Sequence, residues 1–372
     1  MIDIIIIMTD AGLPIFNWQP EEIEIDGDLI SGFLSAINMF AKGERGEQIK
    51  KITLDPTTFL FEKEKELIFV ILTRDQEFEK SINLILPEIK KRFLTQFSNE
   101  IEHFHGNIEY FKPFYSMTEN ILASYGYFDY IQIKSSFETD DELKAVLFLD
   151  KITGDVLYIK SKEYLDRNTL SFQSIILLKS IDRVISEILE KIPIISIIIS
   201  PSHYLIIKKT DKIAIIQEKK YPLDNKITDL KINEKKIREF LKKPGKILFE
   251  SKEKFLFFDQ WGKNQISNDL IGQFKGGLLS PDCITLINTS KNIIEQIYRD
   301  NLFATLIFSE DSLYAVFPIS DYFTFMQIST EDFPNIKPLL GNIKKCKSMN
   351  STNLEDFNQI LQKISKFKSF FT

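Results

Sequence analysis

The chain opens with two strand-like runs of apolar residues joined by a tight turn. The stretch IDIIIIMTDAGLPIFNW contains an isoleucine run, a turn at Asp10 and Gly12, and a second apolar run. Asp bonds readily to its own backbone in turns and Gly tolerates positive φ, so this pattern predicts a β-hairpin. Similar runs flank a turn in AVLFLDKITGDVLYIK and in KFLFFDQWGKNQIS. The sequence therefore predicts three hairpins.

An amphipathic helix is predicted after each hairpin. In the first, DLISGFLSAINMFAKG, apolar residues recur at three- and four-residue steps. The second and third helices are predicted within SFQSIILLKSIDRVISEILEKI and CITLINTSKNIIEQIYRDN. Each is followed by three runs rich in β-branched and aromatic residues, and then by a further helical stretch. The order β-β-α-β-β-β-α thus repeats, with starts near residues 1, 143 and 245.

Repeats of this length are domains and not the short units of a solenoid. We therefore expect an α+β fold of three consecutive domains, each with an antiparallel five-stranded sheet flanked by helices. The expected boundaries are 1–125, 140–243 and 245–372. The stretch from residue 105 to residue 142 is interpreted as a linker between the first two domains.

Composition and charge describe an ordinary globular protein. Of the 372 residues, 44% are hydrophobic and 27% are charged, and the net charge of −6 argues against an electrostatic grip on nucleic acid. The two cysteines, Cys283 and Cys346, lie far apart without a CxxC pattern, so neither a disulfide framework nor a zinc site is predicted. The apolar runs are too short to span a bilayer. A cytoplasmic location is expected.

The usual signatures of enzymes are missing from the sequence. GxxxxGK[ST], HExxH, GxSxG and GxGxxG do not occur. His103 and His105 fall at the end of a predicted helix and are interpreted as surface residues. Ser200, Ser202 and His203 suggest a nucleophile and a base, but they lie where a turn is needed and are interpreted as turn residues. We expect no enzymatic activity, no cofactor and no metal.

The opening TDAGLPIF, the helix DLISGFLSAINMFAKG and the order of elements resemble the longin domain of the longin/roadblock class. Three such units in one chain resemble the tri-longin proteins that form heterodimeric guanine-nucleotide exchange factors for Rab-type GTPases in membrane traffic. The resemblance implies the strand order 2-1-5-4-3 with open edges. It also implies a platform for a small Ras-, Rab- or Arf-like GTPase, together with a second longin-domain protein or self-association.

Two surfaces are candidate binding sites. Small residues on the first helix would let another backbone approach, Met adapts to a partner, and lysines follow at the next strand. These residues are Ser31, Ser35, Asn38, Met39, Lys42, Lys50 and Lys51. The second candidate is a basic segment that suits an anionic membrane, with Lys235, Lys236, Arg238, Lys242 and Lys243. A helix face covered by the rest of the chain and a solvated basic face are the respective alternatives.

Two other functions stay open. A vesicle-coat, tether or adaptor-like scaffold would use the same surfaces without nucleotide exchange. A ligand-binding protein would hold a phosphorylated small molecule near the basic segment, which is the third interpretation. Peripheral contact with membranes is compatible with the first two.

Overall fold

The computed structural model describes residues 1–21, 26–45, 49–189, 191–200, 202–220, 254–261, 264–268, 279–302, 304–309, 312–319 and 322–329. Within them the fold is α+β with two antiparallel sheets. Contacts divide the chain into two compact units, Met1–Gln132 and Ile133–Thr372. The three-domain boundaries given above stay a prediction.

The first unit contains a five-stranded sheet. Its strands are β1 (Ile2–Thr9), β2 (Pro14–Trp18), β3 (Lys51–Leu54), β4 (Thr57–Glu64) and β5 (Leu67–Thr73). Its helices are α1 (Gly27–Arg45), α2 (Glu79–Gln96), α3 (Ser98–Glu102), α4 (Phe114–Ser124) and α5 (Tyr127–Ser136), the last of which extends past the unit boundary. The strand order is β2-β1-β5-β4-β3, which is the order that the longin resemblance implies.

The isoleucine run of β1 is buried on both faces because helices cover both sides of the sheet. On one face, Ile4, Ile6 and Met8 form a core with Leu34 of α1. On the other face, aromatic rings surround Phe93 of α2. Its ring centroid lies 5.9 Å from that of Phe69 and 5.0 Å from that of Phe114.

The stretch from residue 105 to residue 142 is not a plain linker, and that interpretation is wrong. It contains α4 and α5, and Phe111, Phe114 and Tyr127 are fully buried. The Tyr127 hydroxyl donates to the carbonyl of Ile2 at 3.0 Å. The aromatic residues of this stretch pack its helices onto the first sheet, because large rings bury much apolar surface.

The second unit contains one ten-stranded sheet. Its strands are β6 (Leu143–Asp150), β7 (Val156–Ser161), β8 (Pro193–Ile199), β9 (His203–Lys209), β10 (Ile213–Lys220), β11 (Lys254–Asp259), β12 (Asn264–Asn268), β13 (Ala304–Ser309), β14 (Ser312–Ile319) and β15 (Tyr322–Ser329). Its long helices are α6 (Arg167–Ile181), which continues as a π-helical stretch over Asp182–Ile188, and α7 (Leu279–Tyr298). The order is β12-β11-β15-β14-β13-β8-β9-β10-β6-β7.

The expectation of three separate five-stranded sheets is wrong in one respect, because the second and third groups of strands are joined. β8 pairs with β13 antiparallel, with Ile198 opposite Thr305 and Ile197 opposite Leu306. Each half of the sheet contains five strands that are consecutive along the chain. Read from the outer edge inward, these strands lie in the order second, first, fifth, fourth, third. Pairing satisfies backbone groups that two open edges would leave exposed. It also lets α6 and α7 pack together over one continuous core.

We expect Phe93→Ala to lower the free energy of unfolding by about 3 to 5 kcal/mol, because it removes a fully buried ring from the aromatic cluster. Urea denaturation followed by circular dichroism measures the change. The matched control is Tyr110→Ala, which truncates an exposed ring and should change stability by less than about 0.5 kcal/mol. Equal effects of the two substitutions would contradict the proposed core.

Candidate functional site

Helix α1 lies over the sheet next to the turn of the first hairpin. Its start is fixed by Asp26, whose carboxylate accepts the N–H of Leu29 at 3.1 Å. Gly12, at φ +86°, lies against Ser35 so closely that a Cβ at Gly12 would be 2.7 Å from the Cβ of Ser35. Ser31 donates its hydroxyl to the carbonyl of Gly27 at 2.7 Å. The small side chains of α1 thus let the helix approach the turn.

Ser31 and Ser35 are therefore buried, and their prediction as contact residues on an exposed face is wrong. Their exposed fractions are 0% and 7%. The physical reason is that small residues allow a close approach within the chain as well as between chains. The side of α1 that contains Ser31 and Ser35 therefore faces the interior of the first unit as well.

Among the α1 side chains that the structure describes, the exposed ones are apolar, and two of them, Leu29 and Phe33, belong to the apolar pattern from which the sequence predicted the helix. The exposed residues are Leu29, Gly32, Phe33, Ala36 and Met39, and we name this surface the exposed α1 face. Leu29 is 73% exposed and Met39 is 67% exposed. None of the exposed α1 residues whose side chains are described is charged. Contiguous exposed apolar faces of this kind are typical of surfaces that bind another macromolecule.

Strand β3 continues this surface at the edge of the sheet. The Phe33 ring lies against the Phe59 ring, tilted by 50° with centroids 6.3 Å apart, and Phe59 lies opposite Ile52 of β3. Leu54 is on the same face of β3 as Ile52, because side chains alternate along a strand, and it is 48% exposed. Among the described residues no strand pairs with the outer edge of β3.

The opposite edge of the same sheet is partly covered. Trp18 of β2 lies 6.5 Å from Tyr115 between ring centroids, and Phe16 lies 5.2 Å from Phe114. The Tyr115 hydroxyl also donates to the carbonyl of Gln19 at 3.5 Å. An open groove of about 640 Å³ remains beside β2. The β3 edge is therefore the more open of the two.

The predicted lysines fall on different parts of this region. Lys50 is exposed and precedes β3. Lys51 is exposed too, but its ammonium pairs with Glu79 at 2.7 Å and lies on the face of the sheet away from α1. Met39 belongs to the exposed α1 face. The side chains of Asn38 and Lys42 lie outside the described ones, and so does the basic segment with Lys235, Lys236, Arg238, Lys242 and Lys243.

The Ser200–His203 turn has polar partners that the sequence did not indicate. Ser200 and His203 exchange hydrogen bonds, which fixes the turn. The Ser202 hydroxyl donates to Asp300 at 2.6 Å and lies 2.8 Å from Nδ1 of His203. The Ser202 hydroxyl therefore lies within hydrogen-bond distance of both the Asp300 carboxylate and the His203 ring. The arrangement ties the β8–β9 turn to the end of α7.

His203 and Glu218 form the ionisable part of this cluster. Nε2 of His203 lies 4.0 Å from the Glu218 carboxylate, and the His203 ring stacks on Tyr298 with centroids 4.9 Å apart. Burial raises the pKa of Glu218 to about 7, and the neighbouring Tyr298 hydroxyl only partly offsets this. Burial, assisted by the Lys220 charge, lowers the pKa of His203. Both effects favour neutral side chains.

Comparison with known proteins gives no family for this chain. No protein-family model matches it, and no curated protein matches it either. Over the described residues, the helices include none with the length and apolar character needed to cross a membrane. In the same part of the chain, no three His, Cys, Asp or Glu side chains are grouped to hold a metal ion. Function must therefore be argued from the geometry of the chain itself.

We expect the stability of the protein to depend on pH through Glu218. The folded-state pKa of Glu218 lies above the ordinary value of 4.5. The stability that the protonated Glu218 contributes is therefore fully present below about pH 4.5 and is lost as the pH rises through about 7. In the Glu218→Gln variant this side chain stays neutral at every pH. The free energy of unfolding of the variant, compared with that of wild type, should therefore increase by about 2 kcal/mol between about pH 5 and pH 8.

Urea titrations of both proteins at the two pH values measure this difference. The control is Glu187→Gln, which changes an exposed side chain of the π-helical stretch and should keep the wild-type pH profile. A constant difference between Glu218→Gln and wild type at all pH values would contradict a protonated, buried Glu218.

Proposed function

We propose that this protein is a non-enzymatic platform of three longin-like units that binds and regulates a small Ras-, Rab- or Arf-like GTPase, as an exchange-factor subunit does in membrane traffic. The observation that carries the proposal is the exposed α1 face beside the open β3 edge. The longin resemblance and the repeated strand order support the same class. We place the protein in the cytoplasm, with peripheral contact at membranes.

Exchange activity requires no covalent chemistry from this chain. A surface that binds the nucleotide-free GTPase more tightly than the GDP-bound form lowers the affinity for GDP by the same factor. Apolar side chains suit this role because GTPase switch segments change their exposed surface between states. Met39 suits it especially, since an unbranched thioether adapts to a partner that changes shape.

A scaffold without exchange activity is the second candidate function. The observation that favours it is the β8–β13 pairing, in which two groups of strands of this chain bind each other edge to edge through backbone groups, a kind of contact that does not depend on the state of a nucleotide. A scaffold would bind its partner equally in the GDP-bound, GTP-bound and nucleotide-free states. Retention of GTPases on the immobilised chain in these three states separates the candidates.

We expect the full chain to accelerate the release of labelled GDP from one of the organism's own small GTPases by about fivefold or more. Met39→Asp should abolish most of this effect, because it places a charge on the exposed α1 face without disturbing the core. The matched control is Ile152→Asp, at a site 84% exposed on the β6–β7 turn, which should keep full activity.

Stopped-flow fluorescence of GDP release measures both variants, with and without a second longin-domain protein. Unchanged release for every small GTPase tested would overturn the exchange-factor proposal. Binding that does not depend on nucleotide state would establish the scaffold instead.

A further inference from the structure

We propose that the groove beside the outer edge of β2 binds an extended basic segment of another protein, which joins the first sheet as a sixth strand. This surface lies at the edge of the sheet opposite β3, so the proposal goes beyond the proposed function and does not rest on it. The chemistry of the partner is a stretch of extended backbone in which lysine or arginine side chains flank apolar ones.

The groove follows β2 and is closed on its other side by the segment that leads into α4. Four of the five β2 residues line it, and its opposite wall contains Gly106, Ile108, Lys112 and Tyr115. Ile15 also lines a second cavity of about 380 Å³, which extends to the β4–β5 turn. We name the two cavities together the β2 groove. Because β2 is short, a segment of about five extended residues covers the same length.

The outer backbone groups of β2 are oriented to pair with another strand. The N–H of Thr9 donates to the carbonyl of Leu13 at 2.9 Å, so Thr9 and, by alternation, Ile7 direct their backbone toward β2. Ile7 lies opposite Phe16. Phe16 therefore pairs inward, and Asn17 next to it directs its N–H and C=O outward. Among the described residues no strand pairs with this edge.

A β-bulge places Ile15 at the β2 groove. The register of the hairpin shifts between Ile7 and Met8, so Ile15 is an extra residue of β2. Bulges at sheet edges redirect side chains and are common beside active sites. Here the redirected side chain lines both cavities. Since Pro14 has no N–H, the pairing that we propose centres on Asn17.

Acidic side chains lie at both ends of the β2 groove. Glu66 and Glu102 line its end at the β4–β5 turn. At the other end, burial raises the pKa of Tyr115, and the charges of Glu119 and Glu21 raise it further. Within the part of the chain that the structure describes, none of these four carboxylates forms an ion pair. A partner with positive charges would therefore complement both ends.

The basic side chains at the β2 groove do not cancel this acidity. Lys112 already pairs with Glu109, with 2.7 Å between the ammonium and the carboxylate. Lys65 lies between Glu64 and Glu66 in the β4–β5 turn and offsets one charge at most. Complementary charge favours encounter and sets the register of a partner. Lysine and arginine also suit the apolar wall, because their aliphatic stems pack against it while their charged ends reach the carboxylates.

Other occupants fit these observations less well. An α-helix or a small molecule does not offer the outward groups of Asn17 the paired backbone that an added strand provides. A second copy of this chain would present the same acidic groove, and like charges disfavour such pairing. A basic extended segment fits the backbone, the apolar wall and the charges together.

Fluorescence anisotropy with a labelled octapeptide of alternating lysine and valine tests the proposal on the full chain. We expect saturable binding that weakens as the salt concentration rises. The same peptide with every backbone nitrogen methylated keeps its charges but cannot pair as a strand, so it should bind at least about tenfold more weakly. Glu66→Lys should weaken binding about threefold or more, and Glu187→Lys, at an exposed site on the π-helical stretch, is the matched control.

Asn17→Pro removes the outward N–H and should raise the dissociation constant of the peptide at least about tenfold, whereas Asn17→Ala keeps the N–H and should bind as wild type does. Amide exchange gives a second measurement in case Asn17→Pro fails to fold. In wild type, exchange at the Asn17 amide should slow when the peptide is added, while the inward amide of Phe16 is protected with and without it. Met39→Asp should keep full peptide binding while losing GDP-release activity, which separates this proposal from the proposed function.

Four results would overturn the proposal. These are the absence of saturable peptide binding, equal binding of the methylated peptide, a folded Asn17→Pro variant with wild-type affinity, and unchanged exchange at Asn17 when the peptide is bound.

Discussion

The pairing between β8 and β13 is the interaction on which the second unit depends. Backbone N–H and C=O groups need partners, and a five-stranded group whose third strand lies at the end of the sheet leaves one row of them open. In the second unit the open rows of two such groups satisfy each other, with Ile197 opposite Leu306. Once the strands pair, α6 and α7 lie side by side and their apolar faces form one core. A single edge contact therefore determines the ten-stranded sheet.

The first unit has the same edge, with which none of the described strands pairs, and its sequence differs accordingly. β8, PIISIII, is a long and almost wholly apolar strand, as a permanently buried strand requires. β3, KITL, has four residues and follows another lysine, features that protect an exposed edge from uncontrolled pairing. A short edge with an adjoining apolar helix face is suited to a partner that associates and dissociates. Reversible binding of the small GTPase that we propose as partner would use such a surface.

The sequence was sufficient for the local elements but not for their contacts. Turn chemistry at Asp10 and Gly12 located the first hairpin, and helical periodicity located α1, because both signals depend only on near neighbours. Ser31 and Ser35 were assigned to the wrong side of α1, since periodicity does not reveal that a hairpin turn lies against small residues. The partners Glu218 and Asp300 come from distant parts of the chain, so nothing local to Ser202 and His203 indicated them.

The sequence contains a signal for the joining of the two strand groups of the second unit. The run PIISIII does not alternate between apolar and polar residues, which is typical of a strand buried on both faces and not of an edge. The sequence of α1 contains a similar signal, because Leu29 and Phe33 make its apolar stripe wider than the contact with one sheet requires. A helix with apolar residues on most of its circumference predicts two contacts, one with its own sheet and one with a partner.

Amide hydrogen exchange of β3 tests most directly the central claim that the α1–β3 surface holds another macromolecule. The outward amides of Lys51 and Thr53 should exchange fast in the protein alone and slow markedly when it is mixed with a small GTPase whose GDP release it accelerates, while the inward amide of Ile52 stays protected throughout. Fast exchange at Lys51 and Thr53 under all of these conditions would contradict the account.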